Sequence, residues 1–235
     1  MALNIPASLT NSVVLSSFTF LVLTWLMFHY AAKKTLRSRW KFSLITAIIL
    51  VSWFGLVHIF GRMGIFALNH LVAPYILIGF IVLFGILQKV YASQRIQKIA
   101  DAIPMHWLIG IQFYRIVGVG FLILYQQGIL PALFAFSAGF GDIIVGVSAP
   151  IVALLYYLKK PYANKLAIVW NIVGILDLIV ALSVGFLGFP RPVQFVPLQP
   201  TTEPLSLFPL VVIPLFAVPL ALLLHFLGLR VLKNN

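Results

Sequence analysis

Seven stretches of this 235-residue chain run for roughly 19–28 residues with almost no charge, which is the length a helix needs to cross a bilayer. In hydrocarbon every backbone N–H and C=O must be satisfied within the protein, so such runs fold as helices. The expected fold is therefore an all-α integral membrane protein, a seven-transmembrane-helix bundle. The spacing predicts spans over about 11–31, 42–60, 65–88, 105–127, 131–158, 163–187 and 206–229. Sixty-two per cent of the residues are hydrophobic and only 9% are charged, which leaves no material for a soluble catalytic domain. Residues 1–235 read as one transmembrane domain.

Sixteen lysines and arginines against four acids give a formal net charge of +12. Nucleic acid is not an expected partner, because these residues lie in short loops beside the spans and not on a soluble basic face. There they set orientation and meet anionic headgroups. Thirteen fall on one side: Lys33, Lys34, Arg37, Arg39 and Lys41 in the first loop, Lys89, Arg95 and Lys98 in the third, Lys159, Lys160 and Lys165 in the fifth, and Arg230 and Lys233 in the tail. Only Arg62 and Arg191 fall on the other. This split predicts an external N-terminus and a cytoplasmic C-terminus in a multi-pass protein of the cytoplasmic (inner) membrane. The start, MALNIPASLTNS, has no basic n-region or small-residue cleavage site, so no removable signal peptide is expected. Cysteine is absent, which excludes thiolate metal sites, covalent haem attachment and cysteine nucleophiles.

Two connections stand out. Residues 89–103 alternate Val90, Ile96, Ile99 and Ile103 with polar neighbours, as an interfacial helix or an extension of the third span would. Residues 188–205 hold Pro190, Pro192, Pro197, Pro200 and Pro204 and should be irregular, as a linker across the bundle or a lid over an outward cavity. In the last span, Pro209, Pro214 and Pro219 each remove a backbone donor and predict a kinked helix.

Three charges lie inside the apolar runs: Arg115 in span 4, Asp142 in span 5 and Asp177 in span 6. A mid-membrane charge costs about 2.5–3.5 kcal/mol on insertion scales, so it requires a partner, a watery cavity or a task. Counted from the outer ends of their spans, all three sit at roughly the same depth, about 15–18 Å in. Sequential antiparallel helices usually pack as neighbours, which brings the three to one site. Small residues share their faces: Ala135, Ala138, Gly139, Gly146 and Ala149 with Asp142, and Gly174, Ala181 and Gly185 with Asp177. Such faces let membrane helices approach closely. Gln112 and Gly118 share the face of Arg115, and Asn171 reaches the same region. Two carboxylates on one guanidinium leave a formal charge of −1, which a proton or a cation neutralises. The bland reading is a structural knot in which Arg115 bridges the two acids and pins three helices.

Gly139-Phe140-Gly141-Asp142 spells GxGD and resembles the signature of the intramembrane aspartyl proteases, the presenilin, signal-peptide-peptidase and prepilin-peptidase group. The resemblance covers four residues and implies a hydrolase with Asp142 and Asp177 as its catalytic pair. In those families the partner Asp precedes GxGD, whereas Asp177 follows it; Pro131-Ala132-Leu133 likewise lies upstream and not in the last helix. The seven-span topology also resembles that of rhodopsins and heptahelical receptors, but span 206–229 has no lysine for a retinal Schiff base. His58 and His70 flank a short outer loop, with Met63 between them, and are the candidates for a metal ion or an outward-facing haem. No other cofactor is expected.

Together these features predict a small-ligand, proton- or cation-linked transporter or binding protein with a polar pocket between spans 4 and 7. Asp142 would carry the proton or cation, with Asp177 as the second acid and Arg115 as counter-ion. Gln112 and Asn171 would complete the pocket. The lipid bilayer and a small molecule, proton or cation are its expected partners.

Overall fold

Hydropathy alone makes each long run a helix, and the computed structural model, which describes residues 5–67, 75–190 and 196–234, is helical with no strand among them. Seven of these helices are long and apolar enough to cross a membrane. They are α1 (Ala7–Thr35), α2 (Arg39–Arg62), α3 (Tyr75–Ala92), α5 (Met105–Gln126), α6 (Ala132–Tyr157), α7 (Ala163–Leu187) and α8 (Ile213–Lys233). A short helix, α4 (Gln94–Ala100), sits between α3 and α5. The helices are thus consistent with a polytopic membrane protein.

Several span boundaries differ from expectation. The third span was expected from 65, but Ile65–Ala67 winds as a short 3₁₀ turn; residues 68–74 lie outside the described ones, and the described helix runs over Tyr75–Ala92. The last was expected from 206, yet its helix begins at Ile213. Pro204 and Pro209 account for this: Glu203–Ser206 makes a separate 3₁₀ turn and Leu207 is extended, as the stretch leading to a proline tends to be. The first span is longer than expected at both ends.

Residues 89–103 divide at Ser93, whose extended backbone separates α3 from α4. Ile99 and Ala100 on α4 are fully buried. Arg230 Nη1 latches this segment to α8 by donating to Asp101 Oδ1 at 2.5 Å and to the Gln97 carbonyl at 3.3 Å. The loops after α1, α3 and α6 and the end of α8 share one end of the bundle, here the basic end.

The core is α8. It is apolar all round, the mark of a helix surrounded by others, and 83% of its central apolar stretch is buried. It packs on α7, α5 and α3, while α6 packs on α5 and α7, and α1 on α2 and α5. By contrast, only 17% of the apolar stretch of α2 and 6% of that of α3 are buried. Proline shapes α8 as expected. Its first five residues, Ile213–Ala217, wind as a π-helix. Pro219 brings no N–H to the carbonyl four residues back, that of Leu215, and Trp53 Nε1 of α2 donates to that oxygen at 2.8 Å instead. At the other end of the bundle, the described part of segment 188–205 is irregular and folds down on α7. There the Thr202 hydroxyl donates to the Gly185 carbonyl at 2.6 Å and the Thr202 amide to that of Gly188 at 3.1 Å.

Candidate functional site

The winding of α5 sets the site. Between α-helical ends, Ile111–Gly118 is a 3₁₀ helix. Eight residues is long for this conformation, which usually stops after three or four. At three residues per turn, Gln112, Arg115 and Gly118 stack in a single row, and all three are buried. Opposite them α6 presents Gly146, where a Cβ would lie 2.7 Å from the backbone nitrogen of Ile116. The two backbones meet with no side chain between them.

The two carboxylates and the imidazole beside Arg115 likewise each face a glycine on a neighbouring helix. A Cβ on Gly118 would stand 2.4 Å from Cβ of Asp142, and one on Gly141 would collide with the Asp177 carboxyl. A Cβ on Gly174 would stand 2.5 Å from Cε1 of His225. Gly141, the second glycine of GxGD, is therefore the gap that admits Asp177.

Into this space Arg115 extends a guanidinium that is 1% exposed. Nε donates to Asp142 Oδ1 at 2.7 Å and Nη2 donates to Asp177 Oδ2. Nη1 points to the Gly174 carbonyl at 3.4 Å and approaches His225 Nε2 at 3.5 Å. A guanidinium only donates, so His225 Nε2 accepts. His225 Nδ1 then carries the proton and donates to Asn171 Oδ1 at 2.9 Å, while Asn171 Nδ2 donates to the Ala167 carbonyl at 2.8 Å. One connected chain of polar groups joins α5, α6, α7 and α8. Tyr114, beside Arg115, donates to the Ala217 carbonyl in the π-helical turn at 3.3 Å.

The structure brings Arg115, Asp142 and Asp177 into direct contact and joins Asn171 to them through His225. Gln112 stays apart: it is fully buried, and its amide has no hydrogen-bond partner among the described residues. His225 and Tyr114 belong to the network but do not stand out in the sequence. His225 lies in the inner half of its span, where histidines are commonly interfacial, and only its seating on Gly174 reveals the role.

Two small cavities touch the cluster. One, of about 20 Å³, is bordered by Ser17, Tyr114, Arg115 and Asp142. The other, of about 40 Å³, runs from Asp142 toward the end opposite the basic one, beneath Phe189 and Leu205. By these volumes the two hold roughly one and three waters, respectively. The carboxylate side chains retain 14% (Asp142) and 10% (Asp177) exposure.

Of the histidine pair proposed for metal or haem, His70 lies outside the described residues. His58 Nδ1 donates to the Phe54 carbonyl one helical turn back at 2.9 Å, and its buried Nε2 has no partner among the described residues. No group of three or more His, Asp or Glu placed to hold a metal occurs among the described residues.

A family model described as "Domain of unknown function (DUF8737)" matches residues 72–233, so the chain belongs to that family. No curated protein and no solved structure matches it.

Proposed function

We propose that this polytopic membrane protein binds or moves a proton or a small cation at the Arg115–Asp142–Asp177 cluster. The observation that carries the reading is a charge count in a closed space. Two carboxylates share one guanidinium, leaving one negative charge in excess where only a few waters fit. That volume favours a proton or monovalent ion over an organic substrate. Asp142, which borders both cavities, is the carrying acid. Arg115 is the counter-ion, Asp177 the second acid, and His225 with Asn171 the polar continuation toward the basic end. The lysine and arginine asymmetry supports an external N-terminus and a cytoplasmic C-terminus in the cytoplasmic membrane.

An aspartyl hydrolase is less well supported. Such a dyad needs two carboxylates that share a proton and activate water, whereas Arg115 engages both acids here.

The test is ion flux into proteoliposomes under an imposed pH, sodium or potassium gradient. Wild-type protein should dissipate at least one gradient faster than empty vesicles, and Asp142→Asn, checked as monodisperse in detergent, should not. Wild-type flux equal to that of empty vesicles under all three gradients, with no thermal shift on adding any of the ions or changing pH, would sink the reading and leave the cluster a structural clamp.

A further inference from the structure

A second feature lies away from the cluster, on the loosely packed side. α2 and α3 make little contact with each other, and a groove of about 1100 Å³ separates them, backed by α1 and α8. It exceeds the roughly 300–1,000 Å³ of pockets built for drug-sized ligands. Ile45, Ile49 and Leu56 line it from α2, and Leu83, Ile86 and Leu87 from α3. Ile45, Ile49, Leu56 and Ile86 keep about half of their surface uncovered although they face the groove. Apolar walls of this length, open to the bilayer, suit hydrocarbon chains.

The basic end of the groove differs in chemistry. Lys41 from the first turn of α2, Lys89 from the end of α3 and Arg95 from α4 all line it there. Arg95 lies over the ring of buried Phe42, 5.6 Å from its centroid, which holds the guanidinium at the mouth. No acid answers these cations. Of the four in the chain, Asp142 and Asp177 are engaged by Arg115 and Asp101 by Arg230, while Glu203 belongs to a turn outside the groove. A mouth with three uncompensated cations above an apolar trough complements one class of molecule.

We infer that the α2–α3 groove is a binding site for an anionic glycerophospholipid, with its acyl chains between the two helices and its phosphate among Lys41, Lys89 and Arg95. The lipid supplies the packing that α2 and α3 do not give each other and neutralises charge that the protein leaves open. The site is independent of the buried cluster and does not rest on its proposed function.

The full chain is reconstituted in equimolar phosphatidylglycerol and phosphatidylcholine vesicles, extracted in mild detergent and examined by native mass spectrometry. About one phosphatidylglycerol should remain per protein, enriched about tenfold over phosphatidylcholine. The triple variant Lys41→Gln, Lys89→Gln, Arg95→Gln should lose that enrichment. A control with equal charge loss at the end of α1 and in the loop after it, Lys33→Gln, Lys34→Gln, Arg37→Gln, should keep it. Ile49→Trp with Leu87→Trp, which fills the trough, should lower retention of both lipids. No enrichment in the wild type, enrichment surviving the groove triple, or equal loss in the loop control would each overturn the site; the last would assign the effect to general surface charge.

Discussion

α8 and α3 are almost equally hydropathic, yet 83% of the first is buried and 6% of the second. In water that hydropathy would have driven both inside. In a bilayer, lipid tails are as apolar as leucine, so hydropathy places a helix in the membrane without choosing its neighbours. What separates the two regions is polar atoms and glycine. Around α8, four helices are joined by one guanidinium, two carboxylates, an imidazole and an amide, and both carboxylates and the imidazole are seated against glycines of facing helices. Beside α3 there is no such network among the described residues, and nothing lies within 4 Å of where Gly85 would carry a side chain.

The largest effect belongs to Arg115→Leu. It strands two buried carboxylates, and the expected loss is about 3–5 kcal/mol, read as a fall in the thermal midpoint in detergent. Adding Asp142→Asn and Asp177→Asn to the same chain should recover much of that loss, because no uncompensated charge then remains. A single variant as stable as wild type would erase the distinction between the two regions.

A matched pair of methyl additions probes it next. Gly141→Ala forces a Cβ into the Asp177 carboxyl and should cost about 1–3 kcal/mol. Gly85→Ala in α3 meets open space and should shift stability by no more than about 0.5 kcal/mol in either direction. Equal losses from the two in the same melting assay would mean that packing density is uniform. Trp53→Phe should cost about 1 kcal/mol, less than the loss of the arginine, since it deletes the hydrogen bond by which α2 reaches the carbonyl of Leu215. Chemical denaturation at matched detergent concentration resolves a change of that size.

Charges in apolar runs are unambiguous in a sequence, so Arg115, Asp142 and Asp177 could be read directly, and counting depth along three helices brought them together. The small-residue face of α6 was legible for the same reason: Ala135, Ala138, Gly139, Gly146 and Ala149 recur at helical spacing, and all are buried. The role of His225 was hidden. Its place depends on the packing of α8, whose helix starts at Ile213 and not at the expected 206. The 3₁₀ winding of α5 carries no signature in Ile111–Gly118; it accompanies the close approach of Gly146, a contact between residues far apart in sequence. Gln112 was placed in the pocket by its shared face with Arg115, but lying in the same row did not bring a hydrogen bond to the cluster.

The separation in sequence between Arg115 and its acids has a consequence for how the protein is made. During synthesis the guanidinium emerges first; Asp142 follows 27 residues later and Asp177 after 62. Until then α5 carries an unanswered cation worth about 2.5–3.5 kcal/mol against entry into hydrocarbon. α5 is therefore a poor passenger by itself and a good one as half of a hairpin with α6. The insertion machinery should hold it at its protein-lined exit until the second helix arrives, so that the charge pair enters the lipid already formed.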